Sequence, residues 1–176
     1  NLSLHASANL KIVLGEPKHD ILPPQAQRQG SFLDLEADRF YNAVSELGFG
    51  YTGPFQALSN LRRKMDEASG HISVPEDSES ERPLIIHPAS LDGAIQSIML
   101  AYSFPGDGRL RTLYLPTRID RLRINPTACI TPGPLGAELS FYSTVTDTRF
   151  AELSGDVEIY SAHGRNTLVQ LEGLHT

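Results

Sequence analysis

His87-Pro88-Ala89-Ser90-Leu91-Asp92-Gly93-Ala94-Ile95-Gln96, continued by Ser97-Ile98-Met99-Leu100-Ala101-Tyr102, decides the fold. Pro88 suits a first helical turn, and from Leu91 onward nearly every other residue is apolar. A helix apolar almost all round is a buried helix, so this segment is expected at the centre of the domain. Asp92 then sits where an ionised carboxylate is expensive, with Gln96 one turn along on the same face. Burial favours the neutral acid, and the helix start favours the anion by only about 0.3–1 kcal/mol. A buried acid beside a neutral amide is the arrangement expected of a proton donor. A local cap or ion pair at a helix start explains the same spacing, and spacing alone does not separate the two.

The flanks of this helix read as strands, with one further helix before them. Asp34 can cap a helix over 35–47, whose stripe is Ala37, Phe40, Val44 and Leu47 and whose stop is Gly48. Strands are expected over 57–65 (whose start fits a helical turn as well), 70–75, 113–124, 136–145, 150–160 and 167–173, the last after a turn at His163-Gly164-Arg165-Asn166. Glu76 to Glu81 is acidic and serine-rich and reads as an exposed loop. Helix, strands, one long apolar helix and more strands is an α+β pattern, best satisfied by an antiparallel sheet curved around the apolar helix. Leu10, Ile12 and Leu14 alternate and predict a strand within 4–14, whereas 15–31, with three prolines and two glycines, reads as a linker.

Length and composition exclude several function classes. A chain of 176 residues, 40% of them hydrophobic and 20% charged, fits one ordinary globular domain. No apolar run approaches the ~18–20 residues of a membrane helix, and no basic flank with a compact apolar run marks a signal peptide. The net charge of −6 argues against non-specific nucleic-acid binding. Cys129 is the only cysteine, which rules out an internal disulfide and a cysteine-based zinc site and fits a reducing, cytoplasmic setting. Among the six histidines none forms a metal pair at helical spacing, so no metal site is expected. His87, biased to an extended conformation by Pro88, reads as a structural hydrogen-bonding residue.

Gly48-Phe49-Gly50-Tyr51-Thr52-Gly53-Pro54-Phe55 is the second unusual stretch. Three glycines and a proline among three aromatics describe a shaped backbone beside an apolar cavity, where a Tyr51 hydroxyl can reach a polar group or Asp92. A packed loop with Tyr51 half-buried accounts for the composition equally well.

Taken together these residues resemble a known family. His87-Pro88 followed by Leu91-Asp92 and Gln96 is similar to the second motif of polyketide synthase dehydratase domains. Tyr51-Thr52-Gly53-Pro54-Phe55 resembles that family's YGPxF-type loop, with Thr52 inserted. Leu115-Pro116-Thr117-Arg118-Ile119 and Asn125-Pro126 make the chain most similar to fungal highly reducing iterative synthases.

The resemblance implies a double hot-dog fold, of which this chain is the second half. Residues 1–15 are then the last strand of the N-terminal hot-dog, 16–33 a linker, and 34–176 the C-terminal hot-dog. The implied reaction removes water from a 3-hydroxyacyl thioester to give a 2-enoyl thioester. The substrate is carried on the phosphopantetheine of an acyl carrier protein, and the domain needs no cofactor of its own. Asp92 is the implied proton donor, Gln96 orients it and Tyr51 assists at the hydroxyl. Gly53, Pro54, Phe55, His87, Pro88 and Leu91 are placed at the substrate.

The family's catalytic histidine lies in an HxxxGxxxxP motif of the first half, and no histidine here has that pattern. The implied partners are therefore the N-terminal half that supplies this base, the carrier protein, other synthase domains and, in a homodimer, a second copy. Arg62, Arg63, Arg109, Arg118, Arg121 and Arg123 are candidates for attracting a phosphate or an acidic carrier. Two other readings share the resemblance. One is an inactive domain kept for architecture or docking, and the other a product-template cyclisation domain, against which the highly-reducing-type motifs argue.

Overall fold

The computed structural model describes residues 4–16, 18, 20–26, 30–75, 84–130, 138–149, 152–162 and 166–176. His19, His163, most of the turn at 163–166 and the acidic stretch 76–81 lie outside the described residues. Seven strands are described: β1 (Leu33–Leu35), β2 (Leu58–Lys64), β3 (Glu67–Ser73), β4 (Arg118–Ile124), β5 (Glu138–Arg149), β6 (Glu152–Tyr160) and β7 (Thr167–His175). They form one sheet in the order β1-β2-β3-β5-β6-β7-β4, with every neighbouring pair antiparallel. The helices are α1 (Ala37–Glu46), α2 (Pro88–Tyr102) and the short α3 (Pro126–Ile130). None of the described helices is long and apolar enough to cross a membrane.

The apolar stretch that opened the sequence is α2, and β2, β3, β5 and β6 pack against it. Ala94, Ile98, Leu100 and Ala101 are at most 1% exposed and meet Leu58, Ile72, Phe141 and Val157 from the sheet in one core. Close approach of helix to sheet depends on small residues. A Cβ at Gly155 of β6 would lie 2.5 Å from the Ile98 side chain and 2.7 Å from the Thr144 carbonyl oxygen. The Ser143 hydroxyl donates to the Ser97 carbonyl at 3.0 Å, so even the polar groups at this contact are paired. His87 caps the helix through Nδ1, which accepts from the Ala89 N–H at 3.1 Å, the structural role its pairing with Pro88 points to. The buried Arg63 donates to the Ala101 carbonyl near the other end, where a cation suits the helix dipole.

Several expected elements shift. The segment 4–14 forms no strand: Leu4, Leu10, Ile12, Val13 and Leu14 are 72–89% exposed. Alternation yields a strand only where a neighbour takes up its backbone groups, and none of the seven described strands does so here. Asp34 is not a cap. It lies in β1, opposite Arg62 of β2 and ion-paired with it at 3.3 Å, and the helix begins only at Ala37, with Glu36 at the N-cap.

β3 begins at Glu67 rather than 70, because its inward residues are the small Ala68 and Gly70 as well as Ile72, a pattern weak in apolar signal. Only the second half of 113–124 is a strand, for Pro116 has no N–H to give a ladder. The stretch read as a linker is anchored. Leu22 is buried, the Lys18 carbonyl accepts from Asn125 at 3.1 Å, and the Pro23 carbonyl accepts from the Thr167 hydroxyl.

All six arginines singled out in the sequence have carboxylate partners within the chain. Arg62 meets Asp34, Arg63 Asp107, Arg109 Asp66 and Arg118 Asp120, while Arg121 and Arg123 share Glu172. Edge strand β4 is further held by His175, which engages Ser154 at 2.8 Å through Nδ1 and Asp120 at 3.1 Å through Nε2.

Candidate active site

Asp92 lies in the second turn of α2, and it is half-buried rather than buried. The helix is closed off on most of its circumference, but Leu91, Asp92 and Ile95 fall on a stripe that is only partly covered. Beside it is a cavity of about 340 Å³. Asp92, Tyr51, Tyr114 and Thr176 supply its polar groups, and Phe49, Ile95, Ile98, Met99, Leu113, Leu115 and Pro116 its apolar wall. One acid in a mostly apolar cleft is the composition of a small-molecule site. A broader depression of about 870 Å³ lies beside β1, lined by residues 34–38 and 60–62, and contains none of these groups.

Behind Asp92 stands a set of hydrogen bonds in which Gln96 is the hub. Gln96 is fully buried, and its Nε2 donates to Asp92 Oδ2 at 2.7 Å and to the Phe55 carbonyl at 2.9 Å. Its Oε1 accepts from the Tyr41 hydroxyl at 3.0 Å, and that hydroxyl in turn accepts from the Leu58 N–H at 2.9 Å. A buried amide leaves no polar atom unpaired without cost, and here both ends are paired.

Tyr51 comes from the loop after α1 and lies parallel to Phe49, with ring centroids 5.6 Å apart. The Tyr41 ring meets it edge-on at 6.3 Å. Burial pushes the Tyr51 phenol up to about 12, with the Asp92 carboxylate and, at the alkaline pH where it too ionises, Tyr41 adding to the rise. Burial also pushes Tyr41 up to about 12, against the pull of the Leu58 N–H and with the Asp92 charge adding to the rise. At neutral pH both hydroxyls are therefore donors.

The structure brings Asp92, Gln96 and Tyr51 together as a unit. Gly53, Pro54, Phe55, His87, Pro88 and Leu91 do not line the cavity. Gly53–Phe55 is a 3₁₀ turn at the surface whose Phe55 carbonyl holds Gln96, while His87 and Pro88 form the helix start. Gly53 has φ +55, a value at which a side chain is strained.

The sequence reading missed Tyr41 and the 113–116 wall. Tyr41 sits beside Phe40 on a stripe that reads as plain core, and only the need of a buried amide for a donor pointed to such a residue. Residues 113–116 read as the start of a strand, because their apolar residues alternate.

A family profile described as polyketide synthase dehydratase N-terminal domain matches residues 20–176. The chain is 54% identical over 176 residues to the PKS-NRPS hybrid synthetase cheA of Chaetomium globosum, covering 97% of this chain and 4% of that protein. It is 49% identical over 175 residues to the polyketide synthase-nonribosomal peptide synthetase phmA of Phaeosphaeria nodorum, covering 99% of this chain and again 4% of the relative. The chain thus spans a small fraction of the length of the curated relatives it matches.

Among solved structures, the dehydratase domain of RzxB from Pseudomonas fluorescens superposes with a TM-score of 0.65 at 19% identity, covering 85% of this chain and 54% of that one. The dehydratase domain from the CurF module of curacin polyketide synthase gives 0.63 at 20% identity, covering 81% and 47%. These likenesses carry the fold, an antiparallel hot-dog sheet around a central helix. The extent of the profile match and the identity to the synthetases carry the family: the chain belongs to the polyketide synthase dehydratases.

Proposed function

We propose that this chain is the acid-bearing half of a dehydratase that eliminates water from a 3-hydroxyacyl thioester held on the phosphopantetheine of an acyl carrier protein. The observation that carries the reading is Asp92 at the cavity wall with a fully buried Gln96 fixed behind it. In the reaction a base removes the α-proton, the electrons of that C–H bond form the C=C bond, and the C3–O bond breaks. Asp92 gives its proton to the departing oxygen, which leaves as water, and a positioned acid of this kind contributes about 10²–10⁴-fold. Gln96 orients the carboxyl, and Tyr51, a donor at neutral pH, assists at the hydroxyl from the same cavity. Gly53, Pro54, Phe55, His87, Pro88 and Leu91 support the substrate through the turn and helix start that frame this constellation.

The base comes from the companion half of a double hot-dog, since no histidine here has the HxxxGxxxxP pattern. Two facts support the half-domain reading. The chain covers about half of each solved dehydratase compared above, and the alternating segment with Leu10, Ile12 and Leu14 joins none of the described strands. The profile's description reads N-terminal; the assignment to the C-terminal half rests on the Asp–Gln helix present here and the histidine motif that is not. Boundaries at 1–15, 16–33 and 34–176, a fungal highly reducing type of synthase and a cytoplasmic setting belong to the same reading. So do carrier-protein docking and pairing of two copies. A domain kept only for docking has no need of the Gln96 network, and this is why we favour an active enzyme.

The test is complementation on a 3-hydroxyacyl pantetheine thioester. This chain alone should form almost no enoyl product, and addition of the half bearing HxxxGxxxxP should restore it. Robust turnover by the chain alone would mean that the base has been misplaced.

A further inference from the structure

We propose that Tyr41 is a positioning residue for the dehydration: it sets the direction of a hydrogen-bond relay that leaves Asp92 Oδ1 as the atom carrying the catalytic proton. This rests on the assignment of Asp92 as the acid.

The relay begins and ends on backbone. The Leu58 N–H belongs to β2 and can only donate, so it occupies Tyr41 Oη as an acceptor and turns the phenolic hydrogen toward Gln96 Oε1. With Oε1 thus engaged, Gln96 Nε2 faces Asp92 Oδ2 and the Phe55 carbonyl, which can only accept. Each link therefore has one workable direction. Rotating the Gln96 amide by half a turn would set its oxygen against the Phe55 oxygen and Asp92 Oδ2 and leave the Tyr41 hydrogen without an acceptor. Both Tyr41 and Gln96 are buried, so water does not supply the missing partners.

The consequence for chemistry falls on Asp92. Oδ2 is permanently an acceptor in this arrangement, because an N–H already points at it. A protonated Asp92 holds its hydrogen on Oδ1. During elimination the Oδ1–H bond breaks toward the departing hydroxyl, and the resulting carboxylate is met by the Gln96 N–H. Tyr41 makes no hydrogen bond to Asp92 and acts through Gln96 alone. The effect belongs to the chemical step, not to substrate capture.

The experiment is a double-mutant cycle in the full-length synthase, with 3-hydroxybutyryl N-acetylcysteamine thioester as probe and rates normalised to the folded fraction measured by circular dichroism. Tyr41→Phe should lower kcat about 3- to 10-fold, the worth of one buried hydrogen bond, with KM changed less than about twofold. In a Gln96→Ala background the same change should cost less than about twofold, because the relay is already cut. Replacing Tyr41 by 3-fluorotyrosine, which keeps a hydroxyl able both to accept from the Leu58 N–H and to donate to Gln96 Oε1, should leave kcat within about twofold of the parent and so separates loss of the relay from a general disturbance of the site.

Equal fold-losses from Tyr41→Phe in both backgrounds, or an unchanged kcat, would overturn the relay. Asp92→Asn separates the two readings. If it abolishes turnover while the cycle shows no coupling, only the relay falls; if it leaves turnover intact, the acid assignment falls and takes the relay with it.

Discussion

Replacing Gln96 by leucine puts a number on the hub of the site. The side chain is fully buried and makes three hydrogen bonds, to Tyr41, the Phe55 carbonyl and Asp92. Leucine leaves the Tyr41 hydroxyl hydrogen without an acceptor in the interior, at a cost of about 1–3 kcal/mol. The Phe55 carbonyl loses one bond in a partly solvated position, about 0.5–1.5 kcal/mol more. Burying apolar surface in place of an amide returns about 1 kcal/mol. The net loss is about 1–3 kcal/mol, which at this size corresponds to a fall of roughly 3–10 °C in Tm. Thermal unfolding followed by circular dichroism reads it directly. Gln96→Glu should be at least as damaging, since an oxygen replaces the donor that faces Phe55 and Asp92. A leucine variant as stable as the parent would show that the network is not formed as described.

Two further outcomes follow from the packing and the electrostatics. Gly155→Ala places a methyl 2.5 Å from the Ile98 side chain and 2.7 Å from the Thr144 carbonyl. It should therefore cost about 1–3 kcal/mol of stability, partly recovered by Ile98→Val. Unfolding of the single and double variants checks this, and a fully stable Gly155→Ala would contradict the close seating of α2 on β6. Burial raises the Tyr41 and Tyr51 phenols to about 12 in the folded protein, from about 10 in an unfolded chain. Their contribution to stability is complete below about pH 10 and is lost as pH rises toward about 12. A spectrophotometric titration should show both ionising above the ordinary tyrosine value of about 10, each assigned by its Phe variant, and ordinary titration of Tyr51 would place it outside the buried cavity wall.

The architecture was legible because its central element has a strong pattern. Residues 88–102 are apolar enough to be read as a buried helix, and the strands around them alternate. What escaped the reading depends on distant partners. Residues 4–14 carry a strand's alternation and yet join none of the described strands. Asp34 looks like a cap and is drawn instead into β1 by its pairing opposite Arg62. Asp92 and Gln96 were visible from their one-turn spacing and Tyr51 from its glycine-rich loop. The degree of burial of Asp92 was not, because a helix apolar all round gives no sign of which stripe faces a cavity. Nor was Tyr41, which lies 55 residues from the amide it supports and whose role exists only in three dimensions.

The most direct test of the central claim is single-turnover dehydration of a carrier-bound 3-hydroxyacyl thioester by the full-length protein with Asp92→Asn. Asparagine keeps the shape and removes the transferable proton, so the account predicts unchanged substrate binding and a rate of C–O cleavage lower by about 10²–10⁴-fold. Dehydration at the parent rate would contradict it.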